Sequence, residues 1–280
     1  MSRSTRFSLS YEPADTSQPS IIFNELIDWI EDNIMLDFYL EVAKGNITGH
    51  SSINKFGANG AVGTSSTETV WDGSSLYTFP TTADITHLRQ ATDQATMRGE
   101  DVEIQGLADD YSLVVQTVTL DASDTTTAVA LGTALRRVFR MKVLSAVVTT
   151  QNVELRNVGG GTTYSVIVAG NNQTQMAVYT VPSGSSGYVD NYWCSLDKAG
   201  GGGDPDVHMS VWNRDNTNGY APQLKHELGL DANATSYFQH FFTPPLKLLE
   251  KTDIWINCEN LSSTASADVT AGFDIILVAD

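Results

Sequence analysis

The stretch that decides the fold is the last one, Asp268-Val-Thr-Ala-Gly-Phe-Asp-Ile-Ile-Leu-Val-Ala-Asp280. Val269, Ala271, Phe273, Ile275 and Leu277 are apolar at every second position, with Thr270, Gly272 and Asp274 between them. A period of two puts alternate side chains on opposite faces of a pleated strand, so the segment predicts a strand with five positions turned to a core. Upstream, Ile254, Ile256 and Cys258 alternate with Asp253, Trp255 and Asn257. Val153 and Leu155 alternate with Glu154 and Arg156, and Val102 and Ile104 with Asp101, Glu103 and Gln105. Gly159-Gly160-Gly161 supplies a turn into Tyr164, Val166 and Val168. Clusters such as Ala108-Asp109-Asp110, Ser183-Gly184-Ser185 and Asn216-Thr217-Asn218-Gly219 punctuate the strands at short spacing. Many short strands without helices between them predict an all-β chain of antiparallel sandwich or jelly-roll domains.

The N-terminal part reads differently. Residues 1–20 are polar and carry Pro13 and Pro19, which predicts an extended arm. Residues 21–45 read as an anchor. In it Ile22, Leu26, Trp29 and Ile30 recur at helical spacing behind a Ser20 N-cap, followed by a connecting strand through Phe38, Leu40 and Val42. The best boundary in the remainder gives β-domains at 46–148 and 149–280, although one continuous sandwich would produce the same pattern. Just before that boundary, Arg136-Arg137-Val138-Phe139-Arg140-Met141-Lys142 concentrates basic side chains, either on a solvated strand face or against an acidic neighbour.

The chain has 280 residues, 33 acidic and 16 basic side chains, and a formal net charge of −17. A nucleic-acid binder needs a basic footprint, so no nucleic-acid partner is expected. No window approaches the run of about 18 apolar residues of a membrane helix, and no membrane partner is expected. No secretory signal is read at the N-terminus, so folding is expected in a cytosol. Cys194 and Cys258 each sit on the apolar side of an alternating segment, as buried free thiols would.

The common catalytic templates fail: there is no G-x-S-x-G, no H-E-x-x-H and no G-x-x-x-x-G-K-[ST]. Gly200–Gly203 runs into Asp204-Pro205, where a phosphate would meet a carboxylate instead of a lysine. Asp204, Asp206 and His208 are too loosely spaced to predict a metal centre. No enzymatic activity, metal or cofactor is expected.

Three stretches carry a resemblance. They are Leu40–Ser51 running on to Lys55-Phe-Gly57; Val102–Leu107 with Tyr111, Gln116–Leu120 and Leu135–Val143; and Ala177–Gly184 with Gly187-Tyr188, Glu250–Ile256 and Gly272–Asp280. Together the chain resembles, over roughly residues 37 to 280, a broad group of tailed-bacteriophage virion structural proteins common in phages of aquatic bacteria. The resemblance implies a non-enzymatic virion protein, assembled in a host cytoplasm, on the head as a decoration, cement or head-fibre protein. Its expected partners are other virion proteins (capsid, portal, neck or tail) and copies of itself, with a trimer the first expectation. Candidate interface residues are Ile22, Leu26, Trp29, Ile30, Arg136, Arg137 and Arg140. The alternative is a neck, tail or fibre protein that binds a host surface glycan through the C-terminal β-domain, with Trp193, Trp212 and Tyr220 as stacking candidates.

Overall fold

The computed structural model describes residues 38–157 and 159–280. The described residues divide into two units, 38–47 and 48–280. Ile22, Leu26, Trp29, Ile30 and the arm lie outside the described residues. In the first unit, Phe38–Ala43 is a short helix, α1, where the alternation of Phe38, Leu40 and Val42 predicts a strand. Local chemistry explains the difference. Glu41 accepts hydrogen bonds from Lys44 Nζ (2.8 Å) and Asn46 Nδ2 (2.5 Å), and Gly45 takes a positive φ of 74° just beyond the helix end.

The second unit is all-β and antiparallel. β1 (His50–Val62) and β2 (Thr67–Thr69) come first. A middle group follows: β3 (Ile85–Gln90), β4 (Asp101–Leu107), β5 (Leu113–Thr119), β6 (Val129–Leu135), β7 (Arg137–Val143), β8 (Val153–Arg156) and β9 (Thr163–Ile167). The last group is β10 (Val178–Thr180), β11 (Ser185–Gly201), β12 (Asp206–Asp215), β13 (Gln223–Asp231), β14 (Tyr237–Leu248), β15 (Thr252–Asn260) and β16 (Ala265–Ala279).

The first and last groups make one sandwich. Its sheets run β1-β16-β11-β14 and β10-β15-β12-β13, with β2 also pairing with β15. Their inner faces share one core. β16 supplies Val269, Ala271, Phe273, Ile275 and Leu277, the five positions read from the alternation, and Ile254, Ile256 and Cys258 of β15 join them. Cys194 and Cys258 are free and buried in this core, and burial pushes the Cys258 thiol up to about 12. The middle group makes a second, smaller pair of sheets, β6-β3-β8-β9 and β5-β4-β7, around Ile85, Leu88, Ile104, Met141 and Leu155.

The hydrogen bonding therefore crosses the boundary read at 148/149. β1 pairs with β16 from His50↔Val278 to Val62↔Ala267, and β8 reaches back to β3 through Leu88↔Leu155. The smaller sandwich is an insertion between β2 and β10. Its link to the larger one is β7, whose Val138 and Met141 face the smaller core while Phe139 joins the larger. The Phe139 ring lies 4.9 Å from that of Tyr179.

β1 explains why the alternation is hard to see there. Register with β16 turns Ile53, Lys55, Gly57 and Asn59 inward, opposite Ile275, Phe273, Ala271 and Val269. Lys55 is buried and donates to the carbonyl of Phe139. Burial, with the charge of Arg140 adding, pulls its amine well below the usual lysine range.

Candidate functional site

Two arrangements stand out: a buried ion-pair cluster where the sandwiches meet, and an aromatic outer face on the larger one.

The cluster is centred on Asp253 of β15, which is fully buried. It lies on the outer face of its sheet, between Phe79 and the start of β7. The carboxylate accepts six hydrogen bonds. They come from Arg137 Nε and Nη2 (2.8 and 3.0 Å), Arg214 Nε and Nη2 (3.1 and 2.7 Å), Thr180 Oγ1 (2.7 Å) and Asn216 Nδ2 (2.9 Å). Arg137 also donates to the carbonyls of Pro80 (2.6 Å) and Arg136 (2.9 Å), and both guanidiniums sit over the Phe79 ring. Burial alone would raise the Asp253 carboxyl. The hydrogen bonds and charge of Arg137, with Asn216 and Arg214, outweigh it and hold the group below the usual carboxylate range. Arg137, Arg214, Thr180 and Asn216 leave no room for a substrate at Asp253, so the cluster ties strands together.

The basic run is thus spent largely inside the chain. Arg137 is buried and unavailable to a second subunit. Arg136 pairs with Asp109 (3.1 Å) and lies over Tyr111, and Lys142 pairs with Glu103 (3.1 Å). Arg140 donates to the carbonyl of Asn54 (3.2 Å).

The aromatic face is the outer side of the sheet β1-β16-β11-β14. Register aligns three rows across it: Phe56-Gly272-Trp193-Gln239, Asn54-Asp274-Asn191-Phe241 and Ala58-Thr270-Ser195-Tyr237. Trp193 packs over Gly272, where a Cβ would sit 2.9 Å from the indole, so only glycine allows the ring to lie there. Tyr237 and Phe241 flank Trp193 diagonally and are 56% and 59% exposed. Asp274 is the acidic member of these rows, and it is held by Asn54 (2.6 Å) and Asn191 (3.0 Å). In a chain of net charge −17 this is a patch of low charge density.

Beside the patch, β13 and β14 end their respective sheets and close the open side of the sandwich. His226 and His240 stack there at 4.1 Å, with the Tyr192 hydroxyl 2.5 Å from His226 Nδ1. Partial burial, then the neighbouring His240, holds His226 below the usual imidazole range.

The three stacking candidates are not brought together. Trp193 belongs to the aromatic face. Trp212 lies on the outer face of the opposite sheet, half-buried against Trp71, Tyr77, Phe79 and Trp255, with its indole N–H on Ser210 Oγ (2.8 Å). That packing makes Trp212 part of a satellite core. Tyr220 is exposed in the β12–β13 turn. Phe56 and Phe241, which complete the face around Trp193, carry no sequence signal of their own, because only cross-strand register places them beside it.

No protein-family model, curated protein or solved structure matches this chain.

Proposed function

We propose that the chain is a non-enzymatic structural protein of a tailed-phage virion, working as a homo-oligomer on the head as a decoration, cement or head-fibre protein. The observation that carries this reading is the strand order. Numbered along the chain, the eight long-range strands of the larger sandwich run 1-8-3-6 in one sheet and 2-7-4-5 in the other. We read this as a jelly roll, the two-sheet architecture of two Greek keys found in viral capsid and lectin domains.

Fold by itself does not select among functions, and the surface supports the choice. Copies carrying −17 each repel one another, so self-association favours contact where charge is sparse. The face around Trp193, Tyr237 and Phe241, next to an edge of β14 that pairs with no strand among the described residues, supplies apolar area and backbone groups for such a contact. Attachment to the particle is assigned to residues 1–36.

A second reading has one observation in its favour. An indole flanked by exposed rings and by Asn191 and Gln239 also suits stacking against a sugar, which would make the protein a neck, tail or fibre component that binds a host glycan. Quantitative mass spectrometry of purified, salt-washed particles whose genome carries this sequence separates the readings. On the order of hundreds of copies per particle is the result expected for the head, as repeated symmetric surfaces require. A dozen or fewer favours the neck or tail, and absence from washed particles overturns the virion role.

A further inference from the structure

We propose that the outer face of the smaller sandwich holds a binding site for a compact oxyanion, a carboxylate, sulfate or phosphate group carried on a molecule of about sugar size. Cross-strand register between β3 and β8 sets His87 opposite Arg156 and Arg89 opposite Glu154. These four side chains stand on the solvent side of the sheet, because Leu88, Val153 and Leu155 between them fill the core. Beside them opens a cleft of about 300 Å³, lined by His87, Arg89, Arg156, Thr126 and the backbone of Gly159 and Gly160. That volume lies at the small end of ligand sites.

Charge and hydrogen bonding point to an anion. Two guanidiniums share one carboxylate, since Arg89 reaches Glu154 Oε2 at 3.2 Å and Arg156 reaches the same oxygen at 3.6 Å. On the facing strands two guanidiniums stand against one carboxylate, inside a strongly acidic chain. Arg156 is only 18% exposed, yet its guanidinium makes no hydrogen bond among the described residues. The buried Nε–H of Arg89 is likewise without an acceptor. The Nη groups of Arg156, without a hydrogen bond among the described residues and beside the cleft, can donate to an oxyanion placed there, with Arg89 alongside. Gly160, at a φ of +75°, lies beside the Arg156 guanidinium, a Cβ there standing 3.4 Å from it. Thr126 donates its hydroxyl to Asp124 (2.7 Å), which fixes that side chain at the rim with its charge intact.

The test is calorimetric titration of the full chain with inorganic sulfate, inorganic phosphate and glucuronate, with glucose as the neutral control. At least one anion should bind and glucose should not; the ranking of the three tells a tetrahedral from a planar ligand. Arg156→Gln should weaken binding about tenfold, the loss of one charge-assisted pair. Glu154→Gln removes the internal competitor for both guanidiniums and should tighten binding, a change that general destabilisation would not produce. Circular dichroism checks that both variants are folded, with Arg89→Gln as the substitute if Arg156→Gln is not. Absence of anion binding, or the same affinity in wild type and both variants, overturns the proposal.

Discussion

Asp253→Ala should lower the stability of the 48–280 unit by about 3–5 kcal/mol, the usual cost of removing one partner from a buried ion pair. The magnitude follows from what is left behind. Arg137, with a side chain 3% exposed, loses its counter-charge, and Arg214, Thr180 and Asn216 lose acceptors they reach at 2.7–3.1 Å. For a unit of this size the melting temperature should fall by on the order of 10 °C. The exposed pair of Arg98 and Asp93 provides the contrast, since Arg98→Ala should cost far less. The same residue sets a pH dependence. The folded carboxyl of Asp253 lies below its unfolded value of about 3.9, so its contribution is complete above that pH and is lost as pH falls through the folded value. Urea titrations between pH 3 and pH 7 should show wild type losing more stability on acidification than Asp253→Ala. Equal acid sensitivity in the two proteins would mean that the cluster does not tie β7 to β15.

Gly57→Ala should cost about 3 kcal/mol, the upper range for forcing extra volume into a packed interior. A Cβ at Gly57 would lie 2.3 Å from both the Ala177 amide nitrogen and the Val70 carbonyl oxygen. Those two atoms form a 2.9 Å hydrogen bond that carries the chain across β1. Both obstacles are backbone, so no rotamer change relieves the clash, and the bond itself must open. Gly60, three residues along the same strand, has nothing within 4 Å of its Cβ position. Gly60→Ala should therefore stay within about 0.5 kcal/mol of wild type. Equal effects at the two positions in chemical denaturation would contradict the close approach.

These two sites mark where the sequence is legible and where it is not. β16 and β15 can be read directly, since their inward positions are Val, Ala, Phe, Ile, Leu and Cys in strict alternation against a single core. β1 cannot, because its inward positions include Lys55, Gly57 and Asn59, chosen by the crossing of residues 70 and 177 and by the carbonyl of Phe139. Asp253 reads as a solvent-facing partner of Ile254 and Ile256, and it is buried because its sheet is covered on the outside as well. Nothing local announces that cover. The same holds for the insertion of β3–β9 between β2 and β10. A domain boundary is expected where composition changes, whereas here the two halves of one sandwich are about 110 residues apart and are joined by strand pairing and a shared core. The aromatic face is legible only in Trp193, a candidate read from the sequence, whose grouping with Tyr237, Phe241 and Phe56 depends on register.

Association of copies through that face, as proposed above, can be read from mass in solution. Size exclusion coupled to light scattering, run on the full chain over a range of salt and protein concentration, gives that mass. Wild type should elute at a multiple of the 30.3 kDa chain mass, with three copies the expected number, and dissociate more readily as salt is lowered and repulsion lengthens. Tyr237→Asp with Phe241→Asp, which places charge in the proposed contact without touching the core, should reduce the mass to one chain. Wild type at 30.3 kDa under every condition, or an unchanged oligomer in the double variant, would contradict the account.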